Sequence, residues 1–173
     1  MEVPRLHEGT IALRPWSPVD AQWYATCARD AEIQRFTSDP VDLTAAAVAV
    51  AIAEAAADPR RAAFLVADAL TGERLGNIAL DREEGAAAIS YWVAPHARGR
   101  GVARCAIALL SSWAFAHLRL DVLRLWTHAE NAPSRAAAER AGFMRDPDGD
   151  REREVKGTVW PTVAYVLRRG SPA

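Results

Sequence analysis

The chain has 173 residues, half of them hydrophobic and a quarter charged, with a net charge of −1. This length fits one domain, and we expect a single domain over residues 1–173. The balanced charge gives no support to nucleic acid or an anionic membrane as a partner. Cys27 and Cys105 match no metal-binding or redox spacing, so no metal is expected. No apolar run reaches the ~20 residues that span a bilayer, and the first residues lack a signal-peptide core, so we expect a cytoplasmic protein.

The first half of the chain predicts strands and helices in alternation. Ser17-Pro18 is typical of a helix start, because serine caps the first turn and proline is tolerated within it. The spacing of Trp23, Tyr24 and Cys27 places them on the buried face of that helix. In chain order, the predicted elements are a strand near 8–14, the helix opened by Ser17, a loop over 36–40, and an alanine-rich helix from Thr44 that stops before Asp58.

The second half predicts hairpins and then a strand–helix–strand unit. Short β-type runs are separated by turn residues, whereas apolar residues at helical spacing follow residue 101. The predicted strands are 64–67, 75–80, 86–93, 122–127, 151–156 and 162–167, and the predicted helices are 102–118 and 134–141. Gly142 is a typical stop for the second helix. The pattern predicts a mixed α/β domain.

A basic, glycine-containing loop is the most informative segment. A strand ends near Pro95, the loop Arg98-Gly-Arg-Gly101 follows, and a helix begins at about Val102. Glycines permit a tight turn, and the free amides and dipole of the helix start favour an anion such as a pyrophosphate. A surface turn with solvated arginines is the alternative. The loop lacks the Gly-Lys-Ser/Thr of a Walker-type NTPase and the three glycines of a dinucleotide-binding motif.

Two motifs carry a family resemblance. Arg98-x-x-Gly101-x-Ala103 resembles the acetyl-CoA signature of the GNAT acetyltransferases, and Asn131-x-x-Ser134 with a later Gly-Phe pair resembles their second signature. The two motifs occur in the family's order, separated by a helix and a strand. Leu13-Arg-Pro and Tyr91-Trp-Val are similar to the RimJ/RimL-type branch, which acetylates N-termini of ribosomal proteins and also includes enzymes that act on small amines.

The resemblance implies a fold and a cofactor site. The implied fold is α+β: a mixed, mostly antiparallel sheet of about seven strands and about four helices, with two central parallel strands splaying apart. Acetyl-CoA would lie in the splay, its pantetheine paired with strand backbone and its pyrophosphate held by loop amides. The residues implied to bind it are Trp92, Val93, Ala94, Arg98, Gly99, Arg100, Gly101, Val102, Ala103, Asn131 and Ser134.

The implied reaction is direct attack of a neutral amine on the thioester within a ternary complex. Many relatives protonate the leaving thiolate with a tyrosine, but that position is Ala138 here. Ser134 is therefore our catalytic candidate, with a helix-cap or CoA-contact serine as the alternative, whereas alternation along its strand places Tyr91 in the core. The base stays open among Glu83, Glu84, His96, His128, Glu130 and a water relay.

The acceptor is predicted to bind between residues 36–40 and 156–161, with Trp160 as an aromatic wall. The acidic stretch from Asp146 to Glu154 would attract a cationic amine, or else it is a solvated hairpin. The acceptor is then a small-molecule amine or a peptide N-terminus. A non-catalytic acyl-CoA sensor or scaffold is the alternative function, and relatives often form homodimers.

Overall fold

The computed structural model describes residues 3–170, which form a nine-stranded sheet with five α-helices around it. The strands are β1 (Leu6–Glu8), β2 (Ile11–Pro15), β3 (Arg61–Asp68), β4 (Arg74–Glu83), β5 (Ala86–Val93), β6 (Val122–His128), β7 (Met144–Arg145), β8 (Arg151–Val155) and β9 (Thr158–Arg168). The helices are α1 (Ala21–Cys27), α2 (Ala31–Phe36), α3 (Ala45–Ala57), α4 (Val102–His117) and α5 (Ala132–Arg140).

The sheet is antiparallel except at its centre. Strands β1 to β5 pair in sequence order, β6 lies parallel to β5, and β9 lies antiparallel to β6. The other edge of β9 pairs with both β7 and β8. The predicted mixed, mostly antiparallel sheet with a central parallel pair is confirmed.

The element count is higher than predicted, for local reasons. Gly9, at φ +56°, turns the predicted first strand into the hairpin β1–β2. The two-residue β7 and the six-residue α2 are too short to show a periodic pattern. Helix α2 follows Asp30, whose carboxylate accepts bonds from the amides of Glu32 and Ile33. The described residues therefore form nine strands and five α-helices, where about seven and about four were expected.

Helix starts follow capping chemistry. The Thr44 hydroxyl accepts a bond from the Ala47 amide at 3.2 Å, which confirms the predicted start of α3. Ser17 precedes a 3-10 turn over Pro18–Asp20, so α1 itself begins later than predicted, at Ala21. Asn131 caps α5, which therefore begins at Ala132, before the predicted 134.

The two faces of the sheet are covered by different helices. The main core joins α4 and α5 to one face, where Phe64 and Ile89 are buried. On the opposite face α1 packs against α3, and Trp92 packs beside Trp23 and Tyr24. Within residues 3–170, no helix has both the length and the apolar character to cross a membrane.

Candidate active site

The central parallel strands separate after a short pairing. Residues Ala86–Ala88 pair with Val122–Arg124, after which β5 and β6 continue without pairing to each other. The Ala94 amide donates to the Leu75 carbonyl at 2.8 Å, toward β4. Because ladder residues alternate in direction, the N–H and C=O of Val93 point the other way, into the gap. The gap thus exposes an unpaired strand edge to which an extended ligand can bind.

Gly76 on β4 sets how closely that strand approaches β5. It lies opposite Val93, and a Cβ at this position would be 2.4 Å from the Trp92 carbonyl oxygen. A contact that short requires the backbone of β5 to move. The glycine therefore holds the C-terminal part of β5 in its place beside the gap.

The loop after β5 leads directly to the start of α4. Gly99 and Gly101 have φ of +74° and +75°, and a Cβ built on either would meet nothing within 4 Å. The first bond of α4 runs from the Cys105 amide to the Gly101 carbonyl at 3.1 Å. The amides of the first turn before Cys105 therefore have no intrahelical partner and are available to an anion. The open space and these amides fit a pyrophosphate.

The two arginines of this loop are engaged with carboxylates. Arg98 pairs with Asp30, the cap of α2, and Arg100 lies 3.6 Å from Glu73. These pairs reduce the net positive charge that the side chains present. Anion binding here would depend first on backbone amides, with Arg98 and Arg100 freed only if a ligand replaces their partners.

Asn131 and Ser134 stand at the start of α5. The Asn131 carboxamide oxygen accepts a bond from the Ser134 amide at 3.1 Å, which is helix-cap chemistry. The Ser134 hydroxyl is thereby left free for another partner, and it lies 2.8 Å from the Tyr91 hydroxyl of β5. Ala138, in the position of the missing tyrosine, is fully buried.

Tyr91 belongs to both the core and the site. Its ring packs against the main core, as alternation predicted, but its hydroxyl crosses from β5 to reach Ser134. Burial raises the pKa of Tyr91 to about 12, although the Ser134 hydrogen bond acts in the opposite direction. The hydroxyl is therefore protonated at neutral pH.

Most of the predicted bases are held in other interactions. Glu83 pairs with Arg124 and Glu130 with Arg35, each at 3.0 Å and exposed to solvent. His128 Nδ1 accepts a hydrogen bond from the Glu130 amide at 3.1 Å, so this ring nitrogen is already engaged. His96 lies 3.1 Å from the Arg74 carbonyl, beside the loop. These contacts favour a water relay over a dedicated side-chain base.

A second feature, which we call the α3 cavity, opens on the opposite face of the sheet. It encloses about 690 Å³ between α3 and the sheet, and its lining includes Trp16, Tyr24, Asp39, Glu54, Asp58 and Arg61. Arg61 already pairs with Asp81 at 3.2 Å. The cavity therefore combines apolar and aromatic walls with an excess of carboxylates, which suits an amphipathic cation.

Asp39 connects the α3 cavity with strand β5. Its carboxylate accepts a hydrogen bond from the Tyr24 hydroxyl at 3.0 Å, and the Tyr24 ring meets Trp92 edge-on at 5.0 Å between centroids. Burial raises the pKa of the Asp39 carboxyl above its ordinary value. An ammonium group bound here would relieve that effect of burial.

The predicted acceptor segments do come together. Lys156, in the β8–β9 turn, donates to the carbonyl and side-chain oxygens of Gln34, each at 2.9 Å. His128 lies between Phe36 and Trp160, at ring distances of 5.7 and 5.4 Å. Trp160 itself is only 8% exposed, so little of its ring is accessible as a wall.

The acidic stretch is partly structural. Asp150 accepts two bonds from Arg145, at 2.9 and 2.8 Å, and one from the Ala164 amide. These bonds hold the pKa of Asp150 at about 2. At least this carboxylate stabilises the β9 edge and is committed to its own arginine.

Comparison with known proteins decides the family. The family model described as an acetyltransferase (GNAT) domain matches residues 10–144, which include the splayed strands, the loop and α5. The chain belongs to the GNAT acetyltransferase family. The resemblance inferred from the two motifs is confirmed, and members of this family use acetyl-CoA.

The individual relatives share limited sequence identity with this chain. The Bacillus subtilis protein named putative ribosomal N-acetyltransferase YdaF is 34% identical over 88 residues, covering 51% of this chain and 48% of that protein. The match thus spans about half the length of that relative. Mycobacterium smegmatis RimJ, solved with a CoA disulfide, has a TM-score of 0.83 at 23% identity, covering 96% of this chain and 87% of that one.

A second solved structure is similar in fold. Spermidine N-acetyltransferase from Vibrio cholerae, in complex with CoA and spermine, has a TM-score of 0.83 at 18% identity. The superposition covers 95% of this chain and 98% of that chain. At these identities the two solved structures establish the shared fold alone.

Proposed function

We propose that this protein transfers an acetyl group from acetyl-CoA to an amine. The main support is the separation of β5 and β6 after three residue pairs. The open loop and the free amides at the start of α4 follow directly after β5. The open strand edge can pair with the pantetheine arm of the cofactor, and the neighbouring anion site can hold its pyrophosphate. Family membership supports the same ligand.

In this proposal the backbone holds the cofactor. The Val93 peptide groups bind the pantetheine, whereas the Ala94 amide is already used within the sheet. The amides from Gly99 to Ala103 bind the pyrophosphate, and a ligand phosphate competes with Asp30 and Glu73 for Arg98 and Arg100. Trp92 supports the strand from the opposite face. Asn131 fixes the start of α5, from which the Ser134 hydroxyl reaches the Tyr91 hydroxyl of β5.

The bound cofactor supplies an activated acetyl thioester, and the chain supplies position and a proton. Binding both reactants side by side gives most of the rate enhancement. Ser134 donates the proton that the leaving sulfur requires. Since most of the predicted bases are engaged elsewhere, we infer that the attacking amine loses its proton to water.

We propose a cationic amine as the acceptor, entering from the side of the α3 cavity. Asp39, Glu54 and Asp58 line that cavity, while Tyr24 connects it to Trp92 on the cofactor strand. The names of two relatives, a ribosomal N-acetyltransferase and a spermidine N-acetyltransferase, support acceptors of this kind. A free N-terminus and a polyamine both arrive positively charged.

The test is release of free CoA thiol from acetyl-CoA in the presence of spermidine, a serine-initiated peptide or an aminoglycoside. We expect turnover with at least one of them and a loss of about 100-fold in kcat for Ser134→Ala, the size typical of general acid–base catalysis. Ser112→Ala, in the exposed part of α4, is the matched control. Acetyl-CoA binding without turnover of any amine would favour the alternative, an acyl-CoA sensor or scaffold.

A further inference from the structure

Two hydroxyl groups from separate elements meet beside the gap. The Tyr91 hydroxyl of β5 lies 2.8 Å from the Ser134 Oγ of α5 and 3.3 Å from the Ser134 carbonyl. The Tyr91 ring is held by the core, so its hydroxyl is a fixed point. Ser134 rotates about one bond, and a fixed partner determines where its own proton points.

A serine hydroxyl alone is a poor proton donor, because loss of its proton leaves an alkoxide. A phenol is a stronger acid, with a pKa near 10 when unperturbed. We propose that Tyr91 acts through Ser134, as a positioning residue and proton-relay partner: Ser134 protonates the leaving sulfur while Tyr91 donates its proton to Ser134. This inference rests on the proposed acetyl transfer and names a second residue for it.

The relay balances in protons and charge. An S–H bond forms as the Ser134 O–H bond breaks, and a new Ser134 O–H bond forms as the Tyr91 O–H bond breaks. The negative charge then lies on a phenolate, which regains a proton from water. An acceptor that arrives as an ammonium ion loses one proton to water before attack and a second as the amide forms. The second proton balances the one that the sulfur gains, so the overall reaction releases one proton.

The groups around Tyr91 keep its hydroxyl protonated at neutral pH. Burial is the main cause that raises the pKa of Tyr91 to about 12, and Tyr165 of β9, which faces it, acts in the same direction. The Tyr165 hydroxyl donates to Glu139 at 3.0 Å and accepts from Arg135 at 3.3 Å. These are the titratable and charged groups that the structure places around the pair from α5 and β9.

The test measures CoA affinity against pH, and therefore needs no acceptor. The donor pair stabilises a bound thiolate, which lowers the pKa of the CoA thiol in the complex. Isothermal titration should show CoA binding that tightens by up to about tenfold between pH 7 and pH 9.5, the effect of one pKa unit. Acetyl-CoA has no thiol proton and is the control ligand. The ratio of the CoA affinity to the acetyl-CoA affinity therefore isolates the effect of ionising the thiol.

Four variants distinguish a proton-relay role of Tyr91 and Ser134 from a merely structural role. Tyr91→Phe and Ser134→Ala should each reduce the pH response to below about threefold, and the double variant should lose no more than either, because the two residues act as one unit. Ser134→Thr keeps the hydroxyl and should keep the response. A wild-type response in Tyr91→Phe would overturn the relay, even if that variant were less stable. Failure of the wild type to bind either ligand would instead overturn the proposed function.

Discussion

Asp20 shows how one buried charge can organise a chain. Its side chain has no exposed surface, yet it accepts bonds from Arg14 at 2.7 and 2.9 Å and from Arg74 at 2.7 Å. Burial opposes its ionisation, but these hydrogen bonds outweigh burial and hold the pKa of Asp20 at about 2. The carboxylate thereby ties the start of α1 to strands β2 and β4.

We therefore predict that Asp20→Asn lowers the free energy of unfolding by about 3 kcal/mol at pH 7, since it leaves two arginines without their shared partner. Urea unfolding measures this change. Asp121→Asn is the control, because Asp121 is 85% exposed and lies 3.8 Å from Arg169; it should change stability by less than about 0.5 kcal/mol. Equal effects of the two substitutions would contradict the account.

The same residue sets a pH dependence. The pKa of Asp20 is lowered on folding from 3.8 to about 2, so its stabilisation is complete above about pH 4 and is lost as pH falls toward 2. Wild-type stability should decline over that window more steeply than that of Asp20→Asn. Parallel curves for the two proteins, from urea titrations at pH 2 to 5, would show that Asp20 contributes nothing.

The proposed acceptor site can be tested at Asp39. Asp39→Asn should raise the KM of the best cationic amine about tenfold with little change in kcat, because the charge binds the amine and takes no part in bond making. Asp42→Asn changes an exposed carboxylate outside the cavity lining and is the control. Steady-state kinetics in which both variants retain the wild-type KM would remove Asp39 from the acceptor site.

Which of these residues could be predicted from the sequence depends on how far apart the partners lie in it. Gly99, Gly101 and Val102 form a contiguous motif, and local chemistry was sufficient to predict its tight turn and the helix start. Asp39 depends on Tyr24 and on α3, and Ser134 on a tyrosine 43 positions away. The alternation of β5 correctly indicated a core ring at Tyr91 but carried no information on its hydroxyl.

At the scale of elements, the position of β5 determines the site. The strand is held on one edge by β4 and is open on the other, where the gap begins. Its approach to β4 depends on Gly76, since a Cβ there would be 2.4 Å from the Trp92 oxygen. The pattern of strands predicted the pairing of β4 with β5, but the need for a glycine at residue 76 arises only from the register of the two strands.

We predict that Gly76→Ala displaces β5, weakening CoA binding at least tenfold and lowering the unfolding free energy by about 1–3 kcal/mol. Calorimetric titration and urea unfolding measure the two effects. Gly157→Ala is the comparison: a Cβ there meets nothing within 4 Å, although its φ of +73° carries a strain of its own. Unchanged CoA affinity in Gly76→Ala would show that this contact does not position the strand.

At the scale of the whole molecule, the sheet separates the two regions that we propose for cofactor and acceptor. Helices α4 and α5 pack on one face, beside the proposed cofactor site, while α1, α3 and the α3 cavity lie on the opposite face. The aromatic contact between Tyr24 and Trp92 links the α3 cavity to strand β5. In our proposal, an anionic cofactor and a cationic acceptor therefore approach from different sides of the sheet.

The most direct test of this account is thermal unfolding with and without acetyl-CoA for the wild type and for Gly101→Glu, which places a carboxylate in the phosphate loop. Ligand at about 100 times its Kd should stabilise the wild type by roughly 2.7 kcal/mol, a rise of about 5–10 °C in Tm. Gly85→Glu carries the same charge and a similar positive φ, +68° against +75°, at the far end of β5. We expect a ligand shift in the wild type and in Gly85→Glu and none in Gly101→Glu. No shift in the wild type, or an equal shift in all three, would contradict the cofactor site.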